Sequence, residues 1–381
     1  MPNFSGKWTL TEQAQGIAAG TWTGIPVYEL YVWGYGKRTG LNNTVNLSSP
    51  VLSGGPNDWS QISAGGSSSS AIKPDGTLWT WGFNFRGGLG DNTTIPRSSP
   101  VQVGSLTNWA KVSNGSDANL AIKTDGTLWS WGYGSSGRLG LGDTTNRSSP
   151  VQIGALTTWS QVSMGDRHSM AIKTDGTLWA WGDGANGRTG LNLVTATYSP
   201  VQVGSLTNWK QVSSGRLHTV AAKTDDSMYV WGDNGSYRLG LGIPAIIDIS
   251  SPTQIGALTV WNSSSAGNNA CAAIRTNGTL WTWGGNGAGQ LGINNSLDKS
   301  SPVQVGGLSN WATALANKGA TNTAAIKTDG TLWSWGINDD GQLGLGDTAD
   351  RSSPVQIGSL TTWTEVSFGN DASMGINQST T

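Results

Sequence analysis

A tryptophan–glycine pair recurs along this chain of 381 residues, and its period constrains the fold more than any other feature. Neighbouring pairs lie about 50 residues apart, a period that is too long for a coiled-coil heptad and is typical of one supersecondary unit per repeat. We therefore expect a repeat architecture. The pairs begin at Trp33, Trp81, Trp131, Trp181, Trp231, Trp283 and Trp335.

Each repeat predicts four short strands. In the repeat 109–154 the strands are expected at 109–115, 119–123, 127–131 and 151–154. Asp125-Gly126 predicts a type I′ hairpin, a turn that needs positive φ at both central residues. Four antiparallel strands repeated seven times predict an all-β fold, a seven-bladed β-propeller.

The two ends of the chain complement each other. Residues 28–34 read as a third strand without a first or second strand before it, and 365–369 and 373–377 read as the missing two. We expect one blade to be built from both ends, which removes the exposed edges of an open ring. The predicted domains are an anchoring segment at 1–26 and the propeller at 27–381.

Composition excludes several classes of partner. Charged residues make up 12% of the chain and the net charge is −1, so no global field attracts nucleic acid or an anionic membrane. No apolar run approaches the ~20 residues of a membrane span. The start of the chain lacks the apolar segment of a signal peptide, and its single cysteine excludes an intramolecular disulfide. We expect no nucleic-acid partner and no membrane insertion.

Most tryptophans are expected to be structural. Side chains at i and i+2 share a strand face, so each Trp-x-Trp is expected to pack between blades. A carbohydrate-binding aromatic platform is the functional alternative. A further set of tryptophans precedes the predicted first strands: Trp59, Trp109, Trp159, Trp209, Trp261, Trp311 and Trp363.

The segments Lys123-Thr-Asp-Gly-Thr-Leu-Trp-Ser-Trp-Gly132 and Gly137-Arg-Leu-Gly-Leu-Gly-Asp143 resemble the repeat of the regulator of chromosome condensation (RCC1) family. The resemblance covers residues 28 to about 378 and implies a seven-bladed propeller with a composite blade. It implies function only weakly, because the family's fold serves exchange factors, enzyme inhibitors, ubiquitin-ligase modules and adhesins. The chain has no basic tail for chromatin and keeps the pattern's histidine only at His168 and His218, so we do not expect exchange activity.

The first 26 residues do not belong to the repeat. They contain a short helical stripe, and a lone helix of this length is marginal in water. It is expected to pack on the propeller or to anchor it in a larger assembly. The segment resembles the opening of marine bacteriophage tail and virion proteins, which implies an anchor formed by Phe4, Trp8, Leu10, Ile17 and Trp22.

No constellation predicts catalysis. Gly132–Gly137 and Gly182–Gly187 match a dinucleotide motif, but no helix is expected after them. Two histidines without cysteine or carboxylate partners do not form a zinc site, and Asp339-Asp340 lacks the alternating ligands of a calcium loop. Cys271 is expected to be a small buried residue. We predict a protein that is not an enzyme and has no cofactor or metal.

Variation between the repeats predicts where a partner binds. The first-to-second and third-to-fourth loops open on one face and vary, whereas the opposite face is nearly the same in every repeat. We name the varying side the loop face. Phe83, Phe85, Arg86 and Tyr237 are its expected anchors, since aromatic and arginine side chains dominate binding hot spots. The full candidate set is Tyr35, Lys37, Arg38, Phe83, Phe85, Arg86, Asp117, Arg167, His168, Arg216, His218, Tyr237, Asp339 and Asp340.

The leading hypothesis is a phage virion display protein. Its propeller would present the loop face to a host-surface protein or glycan, and its first segment would bind other virion proteins, with a homo-oligomer possible in the particle. Its expected location is the virion, assembled in the host cytoplasm; otherwise it would be cytoplasmic or extracellular. The alternative is a cellular protein-binding propeller such as an enzyme inhibitor. A glycan-hydrolysing propeller is disfavoured because no acid pair is evident.

Overall fold

The computed structural model describes residues 26–54 and 58–380. The proposed anchor residues Phe4, Trp8, Leu10, Ile17 and Trp22 lie outside the described residues. In the described part of the chain, 28 strands form seven separate four-stranded antiparallel sheets.

Each sheet is one blade, and six blades follow the chain in order. Their strands are Gln61–Ala64, Ser68–Ile72, Leu78–Gly82 and Arg97–Gln102 (blade 1); Trp109–Asn114, Ala118–Lys123, Leu128–Gly132 and Arg147–Gln152 (blade 2); Trp159–Met164, His168–Lys173, Leu178–Gly182 and Thr197–Gln202 (blade 3); Trp209–Ser214, His218–Lys223, Ser227–Gly232 and Ile249–Thr259 (blade 4); Trp261–Ala266, Ala270–Arg275, Leu280–Gly284 and Lys299–Gln304 (blade 5); and Trp311–Ala316, Asn322–Lys327, Leu332–Gly336 and Arg351–Gln356 (blade 6).

Blade 7 is the composite blade. Its strands, from the axis outward, are Trp363–Phe368, Ala372–Thr380, Pro26–Gly34 and Leu47–Leu52. The strand Pro26–Gly34 pairs with Ala372–Thr380 along its whole length, from Pro26 opposite Thr380 to Gly34 opposite Ala372. This confirms the predicted seven-bladed propeller and its closure by both ends of the chain.

The remaining regular structure is four short 3-10 helices in the third-to-fourth loops. They span Gly36–Arg38, Ser135–Gly137, Ala185–Gly187 and Gly235–Tyr237. The first strands of neighbouring blades contact one another around the central axis. The fourth strands lie at the periphery, where their side chains are mostly half-buried or exposed.

The Asp-Gly hairpins differ from the predicted turn. In blade 2 only Gly126 has positive φ (77°), and Asp125 does not. The Gly126 N–H donates to the Lys123 carbonyl and the Lys123 N–H donates to the Thr127 carbonyl, so the connection is longer than a two-residue type I′ turn. The prediction was wrong because the Asp125 side chain organises the loop: its Oδ1 accepts bonds from the N–H and hydroxyl of Thr127 at 3.0 and 2.6 Å.

The same aspartate motif explains why this face hardly varies. The Thr127 hydroxyl in turn accepts the indole N–H of Trp129 at 2.8 Å. The ammonium of Lys123 lies 3.6 Å above the Trp129 ring and 4.9 Å from that of Trp109. A threonine, an aspartate, a lysine and two tryptophans thus stabilise one another. Replacing the aspartate or the threonine would leave a polar group without its partner.

The Trp-Gly tryptophans pack between blades, as predicted. Trp181 of blade 3 is fully buried in one cluster with Leu120 and Leu128 of blade 2 and with Trp159. Its ring meets that of Trp159 edge to face at 6.4 Å between centroids, a favoured geometry for aromatic pairs.

Each of these tryptophans also makes the same hydrogen bond across a junction. Its indole N–H donates to a backbone carbonyl in the third-to-fourth loop of the preceding blade, at 2.8–3.2 Å in all seven junctions. We name this the junction carbonyl. It belongs to Arg38, Gly88, Arg138, Arg188, Arg238, Gln290 and Gln342 in turn.

A second side chain donates to the same carbonyl in six junctions. In blade 3 the donor is the Ser169 hydroxyl, 2.7 Å from the Arg138 carbonyl that also accepts Trp181. Both lone pairs of a buried oxygen are then satisfied, which fixes the spacing between blades. The corresponding donors elsewhere are Asn119, Thr219, Cys271, Thr323 and Ser373.

Near the axis, one side chain from the first strand of blades 1, 2, 3, 4 and 7 bonds to the backbone of the next blade. In blade 1 the Gln61 amide accepts the N–H of Val112 at 3.0 Å and donates to its carbonyl at 3.3 Å. In blade 7 the corresponding residue is Glu365, whose carboxyl accepts the N–H of Ile62 at 3.3 Å. Burial raises the pKa of Glu365 to about 8.

We predict that Glu365→Gln stabilises the protein at alkaline pH. Folding raises the pKa of this carboxyl, so its protonated form stabilises the folded state. That contribution is complete below the pKa of the unfolded chain, about 4.3. It is lost as the pH rises through the pKa of the folded protein, about 8. The amide of the variant should form the bonds that Gln61 forms. Urea unfolding should show the variant about 1 kcal/mol more stable at pH 8.5, with a smaller difference at pH 5. The reverse substitution Gln161→Glu is the control and should show the opposite trend; a pH-independent gain would contradict the explanation.

We also predict non-additive losses at the junction carbonyl of Arg138. Ser169→Ala or Trp181→Phe removes one donor and leaves the other, so each should cost about 1 kcal/mol or slightly more. The double variant leaves the buried Arg138 carbonyl without a side-chain donor. The loss of unfolding free energy in the double variant should therefore exceed the sum of the losses in the single variants. Simple additivity in a double-mutant cycle by chemical denaturation would show that the two donors act independently.

Candidate functional site

Four of the predicted loop-face residues line one cavity. Phe83, Phe85, Arg86 and Asp117 surround a space of about 270 Å³ at the junction of blades 1 and 2, together with Ser67, Ser68, Asn84 and Gly88. We name it the blade 1 chamber. The long loop of blade 1 contributes one wall, and the short loops of blades 1 and 2 contribute the other.

Phe85 forms the exposed rim of the chamber. Its side chain is 73% exposed, although it stacks on Phe83 with ring centroids 5.8 Å apart. The long loops of blades 2 to 6 carry small or polar residues at this position, namely Ser135, Ala185, Gly235, Gly287 and Asp339. Phe85 is thus an exposed aromatic side chain at the rim of a cavity, and such exposed apolar surface is typical of contact sites.

Aromatic rings and guanidinium groups alternate beside the chamber. Arg38 lies 5.1 Å from the Phe83 ring, and Arg86 lies 3.7 Å from the ring of Tyr133. Arg138 lies 4.7 Å from the same Tyr133 ring. A hydrogen bond with Ser135 and the two nearby arginines lower the pKa of Tyr133. Tyr133 was not among the residues predicted from the sequence. It follows Gly132 at the repeat position that Phe83 and Tyr35 occupy in their blades, and this equivalence could have indicated it.

Asp117 provides the chamber's negative charge. Its Oδ1 accepts the Ser67 hydroxyl at 2.6 Å, while its Oδ2 lies 3.6 Å from the Arg86 guanidinium. The Asp117 side chain is 34% exposed and that of Arg86 46% exposed, so this pair contributes little to stability. Both groups remain accessible to a ligand.

Tyr35, Lys37 and Arg38 lie next to the chamber, in blade 7. Lys37 is exposed and Tyr35 is half-buried. The Arg38 guanidinium donates to the Gly66 carbonyl at 2.7 Å and pairs with Asp371 at 3.0 Å. Its position across the junction between blades 7 and 1 makes its role largely structural.

The other exposed candidates lie in blades 3, 4 and 6, and the structure does not bring them to the chamber. Arg167 and Arg216 are exposed, and Tyr237 is half-buried with a left-handed φ of 59°. Asp339 is exposed. Burial and the negative charges of Asp371 and Asp339 raise the pKa of Asp340.

His168 and His218 belong to the candidate loop-face set, and packing or hydrogen bonding at the top of the blades is the other role expected for them from the sequence. Both side chains have 0% exposure, so they do not reach the loop-face surface. His168 Nε2 lies 2.9 Å from the Thr219 hydroxyl and His218 Nε2 lies 3.0 Å from Cys271 Sγ, each bridging to the next blade. Burial and a neighbouring arginine hold the pKa of each histidine well below its usual value. Both are structural because the short loop folds the second strand's first residue inward.

Cys271 is fully buried, as predicted for a small core residue. Burial raises the pKa of its thiol, which makes it a poor nucleophile. In the described residues, no group of three or more His, Cys, Asp or Glu side chains is arranged to hold a metal ion.

Lys318 was not among the predicted residues and occupies the axis at the loop face. Its ammonium reaches from blade 6 to the Met164 carbonyl of blade 3, 3.0 Å away. Burial lowers the pKa of Lys318 to about 8. The first-to-second loop of blade 6 spans 317–321, whereas the equivalent loop of blade 3 spans only 165–167. This insertion in the sequence could have indicated Lys318.

The described segments include no helix with the length and apolarity needed to cross a membrane.

The junction carbonyls and the composite blade define a seven-bladed propeller, and the chamber lies on the face whose loops vary between repeats. The model of the RCC1-like domain matches residues 28–378, and the chain belongs to this family. This confirms the resemblance found in the sequence.

Individual relatives match shorter stretches. The chain is 31% identical to the ultraviolet-B receptor UVR8 of Arabidopsis thaliana over 112 residues, which are 29% of this chain and 26% of the receptor. It is 32% identical to an RCC2 homologue of Xenopus laevis over 111 residues, 28% of this chain and 22% of that protein. The matches thus span about a quarter of these relatives.

Solved structures agree over nearly the whole chain. Yeast RCC1 (Prp20), in a structure bound to Kap60, superposes with a TM-score of 0.82 at 18% identity, covering 94% of this chain and 90% of that one. Human WBSCR16 gives a TM-score of 0.82 at 20% identity, covering 92% and 98%. At these identities the similarity shows the fold alone.

We predict that the two aromatic residues of the site differ in their effect on stability. Phe85→Ala should change the unfolding free energy by less than about 0.5 kcal/mol, because its ring is mostly exposed. Tyr133→Ala removes the ring shared by two guanidinium groups and should cost about 1 kcal/mol or more. Chemical denaturation of both variants tests this, and a larger loss for Phe85→Ala would mean that its ring belongs to the core.

Proposed function

We propose that the protein is a non-enzymatic recognition module that binds a partner through the loop face, at the blade 1 chamber. One observation carries the proposal: the varying face bears a cavity with an exposed aromatic rim, an accessible carboxylate and an accessible guanidinium. Such a mixture of apolar surface and a few placed polar groups is typical of binding sites.

The scaffold supports this role because it is rigid beneath the loops. Each long loop is held by its junction carbonyl, and the opposite face repeats one aspartate motif. Loops on a fixed scaffold can change their side chains without changing the fold, which is how recognition surfaces are commonly built.

The narrower hypothesis is display on a phage virion, with a host-surface receptor on the loop face and virion proteins on the segment 1–26. Its support is the resemblance of that segment to phage tail proteins. The strand that follows it starts at Pro26, at the end of blade 7 away from the loop face. An anchor there would leave the loop face free.

A cellular protein-binding propeller is the alternative. Its support is that one structural neighbour, the yeast protein Prp20p, was described together with its binding to Gsp1p and histones. The present chain has a net charge of −1, which argues against a polyanionic partner such as nucleic acid.

The experiment is a binding titration of the purified, labelled full-length protein on intact cells from a panel of bacterial strains. We predict saturable binding that Phe85→Ala weakens at least tenfold. The matched control is Leu206→Ala, which removes an apolar side chain of 46% exposure from the opposite face. It should bind like the parent.

Equal weakening by both variants, or by Leu206→Ala alone, would contradict recognition through the loop face. Absence of binding to all strains would contradict the virion hypothesis and favour the cellular alternative. In that case, affinity capture from a cell extract with parent and Phe85→Ala protein should recover a partner with the parent only.

A further inference from the structure

The blade 1 chamber exists because one residue departs from the repeat. Gly88 provides the junction carbonyl of blade 1, and the six other blades carry an arginine or a glutamine at this position. Five of these six long side chains are almost completely buried: Arg138 and Arg188 are 4% exposed, Arg238 6%, and Gln290 and Gln342 3% each. The sixth, Arg38, has a side chain that is 16% exposed. Gly88 leaves the corresponding space empty.

Glycine is not required here by the backbone. The φ of Gly88 lies outside the left-handed region, and an added Cβ would meet no atom closer than the Asp117 carbonyl oxygen at 3.3 Å. The fold therefore tolerates a side chain at this position, as it does in the other blades. The empty space is a property of this blade's sequence, not of the propeller.

Blade 2 shows what the equivalent space is built to hold. The Arg138 guanidinium donates to the Ser135 carbonyl at 2.9 Å and to the Asp166 carbonyl at 2.7 Å, and it lies over the Tyr133 ring. In blade 7 Arg38 likewise donates to the Gly66 carbonyl and lies 6.0 Å from the Tyr35 ring. Aromatic ring and backbone carbonyls together form a guanidinium site.

The blade 1 chamber keeps these elements without the arginine. Phe83 takes the repeat position of Tyr133, and Phe85 and Ser116 take those of Ser135 and Asp166. Phe83 and Phe85 line the chamber, and Ser116 precedes the lining residue Asp117. One difference favours a cation from outside. Asp117 takes the repeat position that Arg167 holds beside the blade 2 arginine.

We infer that the blade 1 chamber binds an arginine side chain of a protein partner, whose guanidinium takes the place that the chain's own arginine fills in other blades. The inference rests on the proposed function and names the group that the loop face recognises. A guanidinium fits better than an ammonium, because it is planar, stacks on an aromatic ring and donates to several fixed acceptors at once.

Arg86 does not block this site. It lines the chamber, but its guanidinium lies 3.7 Å from the Tyr133 ring, and its contact with Asp117 is 3.6 Å long. Asp117 Oδ2 is therefore available to an incoming guanidinium, while Oδ1 keeps the Ser67 hydroxyl. In blade 2 two guanidinium groups already share the Tyr133 ring, so this fold accommodates such proximity.

The test is a titration of the full chain with Nα-acetyl-arginine amide, followed by the amide NMR signals of blades 1 and 2. Nα-acetyl-citrulline amide has the same shape without the charge and is the control ligand. We expect the arginine compound to bind at least tenfold more tightly and to shift the signals of Gly88 and Asp117. Gly88→Arg fills the chamber with the residue of four other blades, so it should abolish binding without lowering the midpoint of thermal unfolding.

Asp117→Asn is the second variant, should Gly88→Arg fail to fold; it should weaken arginine binding at least threefold. Equal binding of arginine and citrulline, undiminished binding to Gly88→Arg, or no shift near Gly88 would overturn the inference. If cells or a captured partner still bind in a manner that depends on Phe85 while the arginine compound does not, the inference fails and the proposed function stands. If the parent binds no cell and captures no partner, the proposed function fails, whatever the small compound does.

Discussion

The structure depends on one repeated interaction, the hydrogen bond from a buried tryptophan indole to the junction carbonyl of the preceding blade. It occurs at all seven junctions at 2.8–3.2 Å. A buried carbonyl is costly to leave unpaired, so the blades are held at one separation and rotation. The loop that bears the carbonyl is also the loop that varies at its outer end. The same contact therefore fixes the ring and supports the candidate site.

Much of the fold could be predicted from the sequence because its signals repeat. The Trp-Gly period gave the number of blades, and the complementary ends gave the composite blade. The predicted type I′ hairpin was wrong because the prediction considered only backbone φ angles. It did not include the Asp125 side chain, which hydrogen-bonds to Thr127. The sequence left the histidines with two roles, in the loop-face set or in packing between blades, because a position next to a loop does not show which way a side chain turns. In the structure His168 and His218 turn fully inward.

The candidate site was only partly predictable. Phe83, Phe85, Arg86 and Asp117 were chosen separately as exposed loop residues, and the structure brings them around one cavity. Gly88, the residue that creates the cavity, could not be distinguished in the sequence from the other glycines among the 56 of the chain. Its role can be recognised only after the repeats are aligned on the junction carbonyls. The alignment shows that the other blades carry an arginine or a glutamine where blade 1 has Gly88.

Closure by the composite blade has a consequence for how the molecule is made. The strand Pro26–Gly34 pairs on one edge with Leu47–Leu52, but its inner edge pairs with Ala372–Thr380, which is made only after the six other blades. Until then an unpaired strand edge is open at the ribosome, and such edges invite pairing with other chains. Ring closure is thus the least local step of folding, and a chain that lacks Ala372–Thr380 would form a ring without its closing strand. Folding should accordingly be more sensitive to loss of this strand than to changes in the loops.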